Sequence, residues 1–207
     1  MKANYPMEIK SDIHYYDSSE RYSPRAFGDD LFEMIAEKYR AYPGLTGQLV
    51  FLCIGSDRAT GDCLGPIVGY KLRQLNMSGC SVYGTLEYPV HARNLEETIE
   101  YIEAFHGEPI IIAIDASLGR SSHVGYFTLG RGALKPGAGV DKELPSVGDL
   151  YITGIVNMSG FLDHMLLQTT RLHIVMKLAD RICEGIARCV GRLAEEDAKE
   201  TACSLQK

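Results

Sequence analysis

The chain has 207 residues, of which 45% are hydrophobic and 23% are charged, and this balance is typical of a globular protein with one domain. Its formal net charge of −6 argues against a nucleic-acid-binding surface, because such a surface needs clustered positive charge. No apolar run approaches the roughly 20 residues that a membrane-spanning helix needs, and the first residues lack the apolar core of a secretory signal. The composition therefore predicts a soluble, cytoplasmic protein.

Both ends of the chain are predicted to lie outside the folded domain. Residues 1–27 are polar and rich in tyrosine, and they predict an extended N-terminal arm that is ordered only by packing on the body or on a partner. Asp29 or Asp30 then caps the first predicted helix. Residues 197–207 are predicted as a charged tail, which leaves residues 28–196 as the domain.

Within the domain, five predicted strands alternate with helices. The strands are apolar, β-branched runs at Leu49–Ile54, Ser81–Leu86, Ile110–Ile114, Val124–Leu129 and Leu150–Val156. The helices are expected from Cys63 to about Leu75, from Asn94 or Leu95 to about His106, and from Asn157 or Thr169 to Leu193. This alternation predicts a three-layer α/β fold.

Two of the strands run directly into a loop that holds one aspartate. The strand that ends at Ile54 precedes a glycine-containing loop with Asp62, and the strand that ends at Ile114 is followed at once by Asp115. Because ligands of open parallel sheets sit beyond the carboxyl ends of the strands, we expect the two carboxyl groups within about 4–8 Å of each other. Such a pair shares a proton, and one ionised and one protonated acid can hydrolyse a peptide bond by general acid–base catalysis.

Each acid also has a structural interpretation. Asp62 stands where it can cap the following helix, and a single aspartate after a strand is often structural. Gly55 and Gly61 bracket the loop, and one or both are expected to adopt a positive φ or to permit a close backbone approach. The loop matches no phosphate-binding pattern. Cys63 beside Asp62 is a conceivable nucleophile, but a small residue that packs in the first helical turn is the simpler interpretation.

Other residues are candidates for binding a substrate at the same edge. Glu87 and His91 follow the second predicted strand, and Arg120 follows the strand that carries the second aspartate. A long glycine-rich loop, residues 130–148, includes Gly137 and Gly139 and is expected to border a peptide groove.

Six scattered cysteines form no C-x-x-C pair, so the sequence predicts reduced thiols and no structural zinc.

Two of these segments resemble motifs of a known protease family. Residues 61–66, Gly-Asp-Cys-Leu-Gly-Pro, resemble the D-x-L-G-P step of the germination protease of endospore-forming bacteria. Residues 113–118 with Arg120 resemble its second acidic motif, and residues 135–140 with 153–157 resemble its glycine-rich segment in a different order. Over nearly the whole chain, the closer resemblance is to a smaller sporulation-associated family, the YyaC spore protease family.

The resemblance implies both a fold and an activity. The germination protease is an aspartic endopeptidase that acts on small acid-soluble spore proteins, and its two catalytic acids correspond to Asp62 and Asp115. Its fold, shared with the hydrogenase maturation proteases, implies a three-layer α/β/α sandwich with a mixed, mostly parallel sheet. The maturation enzymes also hold a metal with a histidine after a later strand. Residues 152–157 contain no histidine, so neither a metal nor a cofactor is expected.

We therefore expect a sporulation-associated endopeptidase whose partner is a protein or peptide substrate. The forespore or spore core is the compartment implied by the resemblance, and a homo-oligomer remains among the alternatives. Two rival interpretations stay open. One is a non-catalytic binding module with the same fold, and the other is a metal-assisted protease with Asp62, Asp115 and either Glu87 or His91 as ligands.

Overall fold

The computed structural model describes residues 13–41, 48–136, 144–160 and 162–204. Within these ranges the chain forms six strands and five α-helices. The strands are β1 (His14–Asp17), β2 (Leu49–Cys53), β3 (Cys80–Tyr83), β4 (Ile110–Gly119), β5 (Tyr126–Arg131) and β6 (Leu150–Met158). The helices are α1 (Ser23–Ala41), α2 (Leu64–Gln74), α3 (Leu95–His106), α4 (Asp163–Gln168) and α5 (Leu172–Ser204).

The strands form one mixed sheet in the order β1-β5-β6-β4-β2-β3. The pairs β2–β3, β2–β4 and β4–β6 are parallel, whereas β5 runs antiparallel to both β1 and β6. The predicted α/β fold with a mixed, mostly parallel sheet is confirmed, and the sheet has six strands rather than five. The predicted first and third strands, β2 and β4, are neighbours in the sheet, as expected.

Helices cover both faces of this sheet. On one face α1, α2 and α5 pack against side chains that include Phe51, Ile112 and Phe127. On the other face α3 packs against a smaller cluster that includes Val50 and Ile111. Consecutive residues of a strand point to opposite faces, so a strand covered on both sides must be apolar throughout. The three-layer arrangement follows from these uninterrupted apolar runs.

The described part of the predicted N-terminal arm packs on the body of the domain. Strand β1 pairs along its whole length with β5 at the edge of the sheet, and Tyr16 stacks on Phe127. Helix α1 begins at Ser23, so the predicted boundary at residue 27 falls inside it. Pro24 is compatible with this start, because proline is tolerated in the first helical turn.

Helix α5 continues to Ser204, so the predicted boundary of the charged tail also falls within a helix. Among the described residues, no helix is both long enough and apolar enough to cross a membrane.

The unequal lengths of the central strands create the candidate site. Strand β2 ends at Cys53, and the Ile54 N–H donates to the Ile114 carbonyl at 2.7 Å. Strand β4 continues to Gly119 beside β6, so its predicted end at Ile114 is too early. The extra residues remain extended because β6 supplies a hydrogen-bonding partner on one side. Beyond Ile114, the side of β4 that faced β2 is open.

Candidate active site

A cavity of about 470 Å³ lies at the carboxyl end of β2, beside the middle of β4. Both predicted catalytic acids line this cavity. Its other lining groups come from β4, from α4 and from the segments that follow β2, β3 and β5, and they include Gly55, Arg58, His91, Pro136, His164 and Gln168.

Asp115 lies within β4, at the point where this strand has lost its neighbour β2. Its backbone is in register with Thr153 of β6, and the residue is only 7% exposed. The Ala116 N–H donates to the Asp115 Oδ1 at 2.7 Å. A buried acid that interrupts an apolar strand is costly unless its polar atoms are satisfied, and the Asp115 carboxylate lies in the wall of the cavity.

Asp62 lies in a single 3₁₀ turn, Gly61–Cys63, that leads into α2. The N-cap of α2 is Cys63, which makes no side-chain capping bond. The alternative interpretation of Asp62 as a helix cap is therefore wrong. Burial raises the pKa of Asp62, and this rise is opposed by a hydrogen bond from the Ser56 backbone and by the charges of His91 and His164.

The two loop glycines act in different ways. Gly55 has a φ of +141°, and a Cβ built on it would lie 2.1 Å from the Asp62 carbonyl oxygen. The prediction that a loop glycine adopts a positive φ is thus confirmed at Gly55. At Gly61, a Cβ would lie 2.9 Å from side-chain atoms of both Leu167 and Thr170. Glycine at this position lets the loop with Asp62 approach α4 closely.

The structure brings together some of the predicted substrate-binding residues and separates others. His91 lines the cavity, whereas the exposed Glu87 lines a neighbouring groove. Arg120 is exposed, precedes a 3₁₀ turn and is not among the residues lining the cavity. Gly137 and Gly139 lie outside the described residues. No group of three potential metal ligands is found in the part of the chain that the structure describes.

Cys63 is arranged as a packing residue. Its Sγ donates to the Ala59 carbonyl at 3.3 Å. Burial and the neighbouring charges of Asp62 and Asp57 raise the pKa of its thiol. A raised pKa disfavours the thiolate, which is the nucleophilic form, and so argues against a cysteine nucleophile.

His164 is a cavity residue that the sequence did not reveal. It lies on α4, after β6, and its side chain is within hydrogen-bonding distance of Gln168, at 3.1 Å. The spacing of the histidines gives no signal for it. The signal that could have found it is its position after a strand whose carboxyl end lies at the same edge of the sheet.

The fold and the cavity together define an α/β/α domain with two carboxyl groups at the carboxyl edge of its parallel strands. The chain belongs to the family described as "Protein of unknown function (DUF1256)", whose model matches residues 18–185. It is 54% identical over 139 residues to the uncharacterized protein YyaC of Bacillus subtilis (strain 168), an alignment that covers 67% of this chain and 68% of that protein. The predicted resemblance to YyaC is therefore confirmed.

One solved structure with a similar fold is that of the [NiFe] hydrogenase maturation protease HycI from Thermococcus kodakarensis KOD1. The similarity covers 76% of this chain and 99% of that chain, with 17% sequence identity and a TM-score of 0.47.

Proposed function

We propose that this protein is an endopeptidase that uses Asp62 and Asp115 as an acid pair, in the manner of the germination protease. The observation that carries the proposal is the convergence of both acids on one cavity, which lies at the carboxyl end of β2 and beside its parallel neighbour β4. Both acids stand in sequence motifs that resemble the acidic motifs of that protease. Convergence at this edge of the sheet is typical of active sites in open α/β folds.

The two acids take different roles in the proposed reaction. Burial raises the pKa of Asp62, so we assign to Asp62 the proton that polarises the scissile carbonyl. Asp115 then accepts a proton from the attacking water, and the carbonyl oxygen receives the proton of Asp62. Collapse of the tetrahedral intermediate breaks the C–N bond. Asp115 returns its proton to the leaving amine, and Asp62 regains a proton from one hydroxyl of the intermediate, so that the new carboxyl group forms and both acids return to their starting states.

Small acid-soluble spore proteins are the proposed substrates, and the forespore is the proposed compartment. The motif resemblance to the germination protease supports the substrate. The same resemblance, to a protease of endospore-forming bacteria, supports the compartment.

The test is incubation of the full-length protein with purified small acid-soluble spore proteins, followed by mass spectrometry of the products. Wild type should release defined fragments. Asp62→Asn and Asp115→Asn should each lower the rate at least ~100-fold, which is the usual scale of lost acid–base catalysis. The double variant should be scarcely slower than either single variant, because the two groups act as a unit.

Asp163→Asn is the matched control, since Asp163 lies on α4 but is not among the cavity-lining residues. It should cleave at the wild-type rate. Full activity in either Asp62→Asn or Asp115→Asn would contradict the acid-pair mechanism. If wild type cleaves nothing and both single variants are more stable than wild type, the binding-module interpretation replaces the proposal.

A further inference from the structure

A second, larger cavity runs along the β3 edge of the sheet, next to the candidate active site. This groove has a volume of about 1130 Å³, slightly above the ~300–1,000 Å³ that ligand sites usually occupy. Strand β3 forms part of it, the end of α2 lines one side, and α3 lines the other. Its size and its position on a strand edge suit an extended chain better than a compact small molecule.

Strand β3 can accept another strand. It is the last strand in the sheet order, and among the described residues its only strand partner is β2. Alternate residues of such an edge strand direct their N–H and C=O groups away from the sheet. A groove that leaves these groups accessible is the arrangement in which a peptide binds by strand addition.

Aromatic side chains are exposed along this groove. Tyr88 is 68% exposed and Tyr101 is 55% exposed, and both line the groove together with Tyr83. The Tyr101 ring lies 6.2 Å from the Tyr83 ring and stacks on the ring of Phe105 at 5.7 Å. Clustered, exposed aromatic residues mark surfaces that bind a partner.

The groove and the acid-lined cavity are adjacent and share one lining residue. Val90 lines the groove, and His91 lines both the groove and the cavity. Val90 forms a parallel bridge with Ile54, and the Gly55 N–H donates to the Val90 carbonyl at 2.8 Å. A chain paired with β3 is therefore separated from the end of β2 by about two strand spacings, or roughly 10 Å. Two or three residues of extended peptide cover that distance.

We propose that the substrate binds as an extended segment that adds a strand to β3 and continues past His91 to Asp62 and Asp115. This inference rests on the proposed function for its second part, delivery to the acid pair. The groove is lined by two carboxylates, those of Glu87 and Glu97, and by one guanidinium, that of Arg73. The segment is therefore expected to carry lysine or arginine side chains.

The binding test uses the double variant Asp62→Asn/Asp115→Asn of the full-length chain, so that the probe is not cleaved. The probe is a fluorescein-labelled synthetic peptide of about eight residues with alternating lysine and valine, long enough to span β3 and pass His91. Matched peptides carry an N-methyl group on every amide, so that neither backbone edge of the peptide can donate a hydrogen bond to β3. Fluorescence anisotropy should show saturable binding of the first peptide and at least about tenfold weaker binding of the methylated ones.

Two tyrosine variants locate the binding site. Tyr101→Ala should weaken binding by about tenfold, because exposed aromatic anchors dominate such interfaces. Tyr15→Ala is the matched control on β1, the opposite edge of the sheet, and should leave binding unchanged. No saturable binding up to about 1 mM, equal binding of the methylated peptides, or equal effects of the two variants would overturn the proposal.

The failures of the two proposals can be told apart. Peptide binding that depends on Tyr101, without cleavage of any spore protein by wild type, would overturn the peptidase proposal and leave strand addition in place. Cleavage of spore proteins with the same KM in wild type and Tyr101→Ala would overturn strand addition and leave the peptidase proposal in place.

Discussion

At the scale of single residues, the carboxyl group of Asp62 is buried, and burial makes its ionisation unfavourable in the folded protein. Its carboxyl group lines the cavity, and burial raises its pKa above the ordinary value of 3.8. The nearby charges of His91 and His164 reduce this rise but do not cancel it. An acid that serves only to stabilise the fold usually has its pKa lowered by its partners. The opposite direction at Asp62 means that ionising this carboxyl group costs stability in the folded protein, and the catalytic role proposed above would account for its retention.

The raised pKa of Asp62 predicts how stability depends on pH. The folded protein binds this proton more tightly than the unfolded chain, so the contribution of Asp62 to the free energy of unfolding falls as pH rises. This decrease in the free energy of unfolding begins near pH 3.8, the ordinary pKa of an aspartate. It ends once the pH exceeds the raised pKa of Asp62 in the folded state. Asp62→Asn has no such group, so its stability relative to wild type should increase across that window and then level off.

Chemical denaturation of both proteins at a series of pH values measures this difference. A difference that is independent of pH, or that decreases as pH rises, would show that Asp62 is not destabilised in its charged form.

Gly61 gives a prediction that separates the position of the loop from overall stability. Gly61→Val should push the loop with Asp62 away from α4, because a Cβ there would lie 2.9 Å from Leu167 and Thr170 side-chain atoms. We expect complete loss of peptidase activity at a cost of about 1–3 kcal/mol in the free energy of unfolding. Gly191→Val is the matched control, since no heavy atom lies within 4 Å of its built Cβ.

Urea denaturation and the spore-protein assay measure both quantities. Gly191→Val should keep its activity and change stability by less than about 0.5 kcal/mol. A fully active Gly61→Val protein would show that the loop is only a connector.

At the scale of elements, β1 is held in place by its contacts with α1 and β5. The Tyr16 hydroxyl donates to Asp30 at 2.6 Å, and its ring lies about 5 Å from both Phe27 and Phe127. His14 Nδ1 is also 2.9 Å from Asp30. A short edge strand has few backbone bonds, so these side chains supply much of the free energy that keeps it in the sheet.

Neighbouring tyrosines on β1 provide a test with an internal control. Tyr16→Ala removes a ring that is only 7% exposed and should lower the free energy of unfolding by about 3–5 kcal/mol. Tyr15→Ala removes a ring that is 53% exposed and should cost less than about 1 kcal/mol. Thermal or urea unfolding measures both values. Similar costs for the two variants would show that β1 does not depend on the core.

At the scale of the whole molecule, the sheet is most strongly protected at its centre. Strands β4 and β6 each have partners on both sides, and most of their residues are buried. Strand β3 lies at one edge, and all four of its residues are only partly buried. The most stable region therefore supports the cavity, while the less stable edge borders the groove.

The difference in protection between the centre of the sheet and its β3 edge predicts a pattern of native-state hydrogen exchange. Amides that pair β4 with β6 should exchange close to the rate set by global unfolding, whereas the outward amides of β3 should exchange faster by local opening. Mass spectrometry or NMR of the unliganded protein measures this order. Protection of β3 equal to that of β4 would mean that something covers this edge.

The sequence by itself determined the parts of the fold that depend on local pattern. The apolar β-branched run Ile110–Ile114 specifies a strand buried on both faces, and the alternation of strands with helices specifies the α/β class. Strands β2 and β4 are parallel neighbours in the sheet, although β3 comes between them in the chain. Because both run in the same direction, the acids that follow their apolar runs lie on one cavity, as the sequence predicted. Their catalytic role stays a prediction.

Only the tertiary structure decided the features that depend on distant pairing. Strand β1 forms because β5, more than a hundred residues later, presents a free edge, and four polar or aromatic residues give no strand signal alone. Strand β4 continues past Ile114 because β6 pairs with it. His164 reaches the cavity because α4 packs against the loop that carries Asp62. In each case the deciding free energy comes from contacts between segments far apart in the chain, which local sequence patterns do not encode.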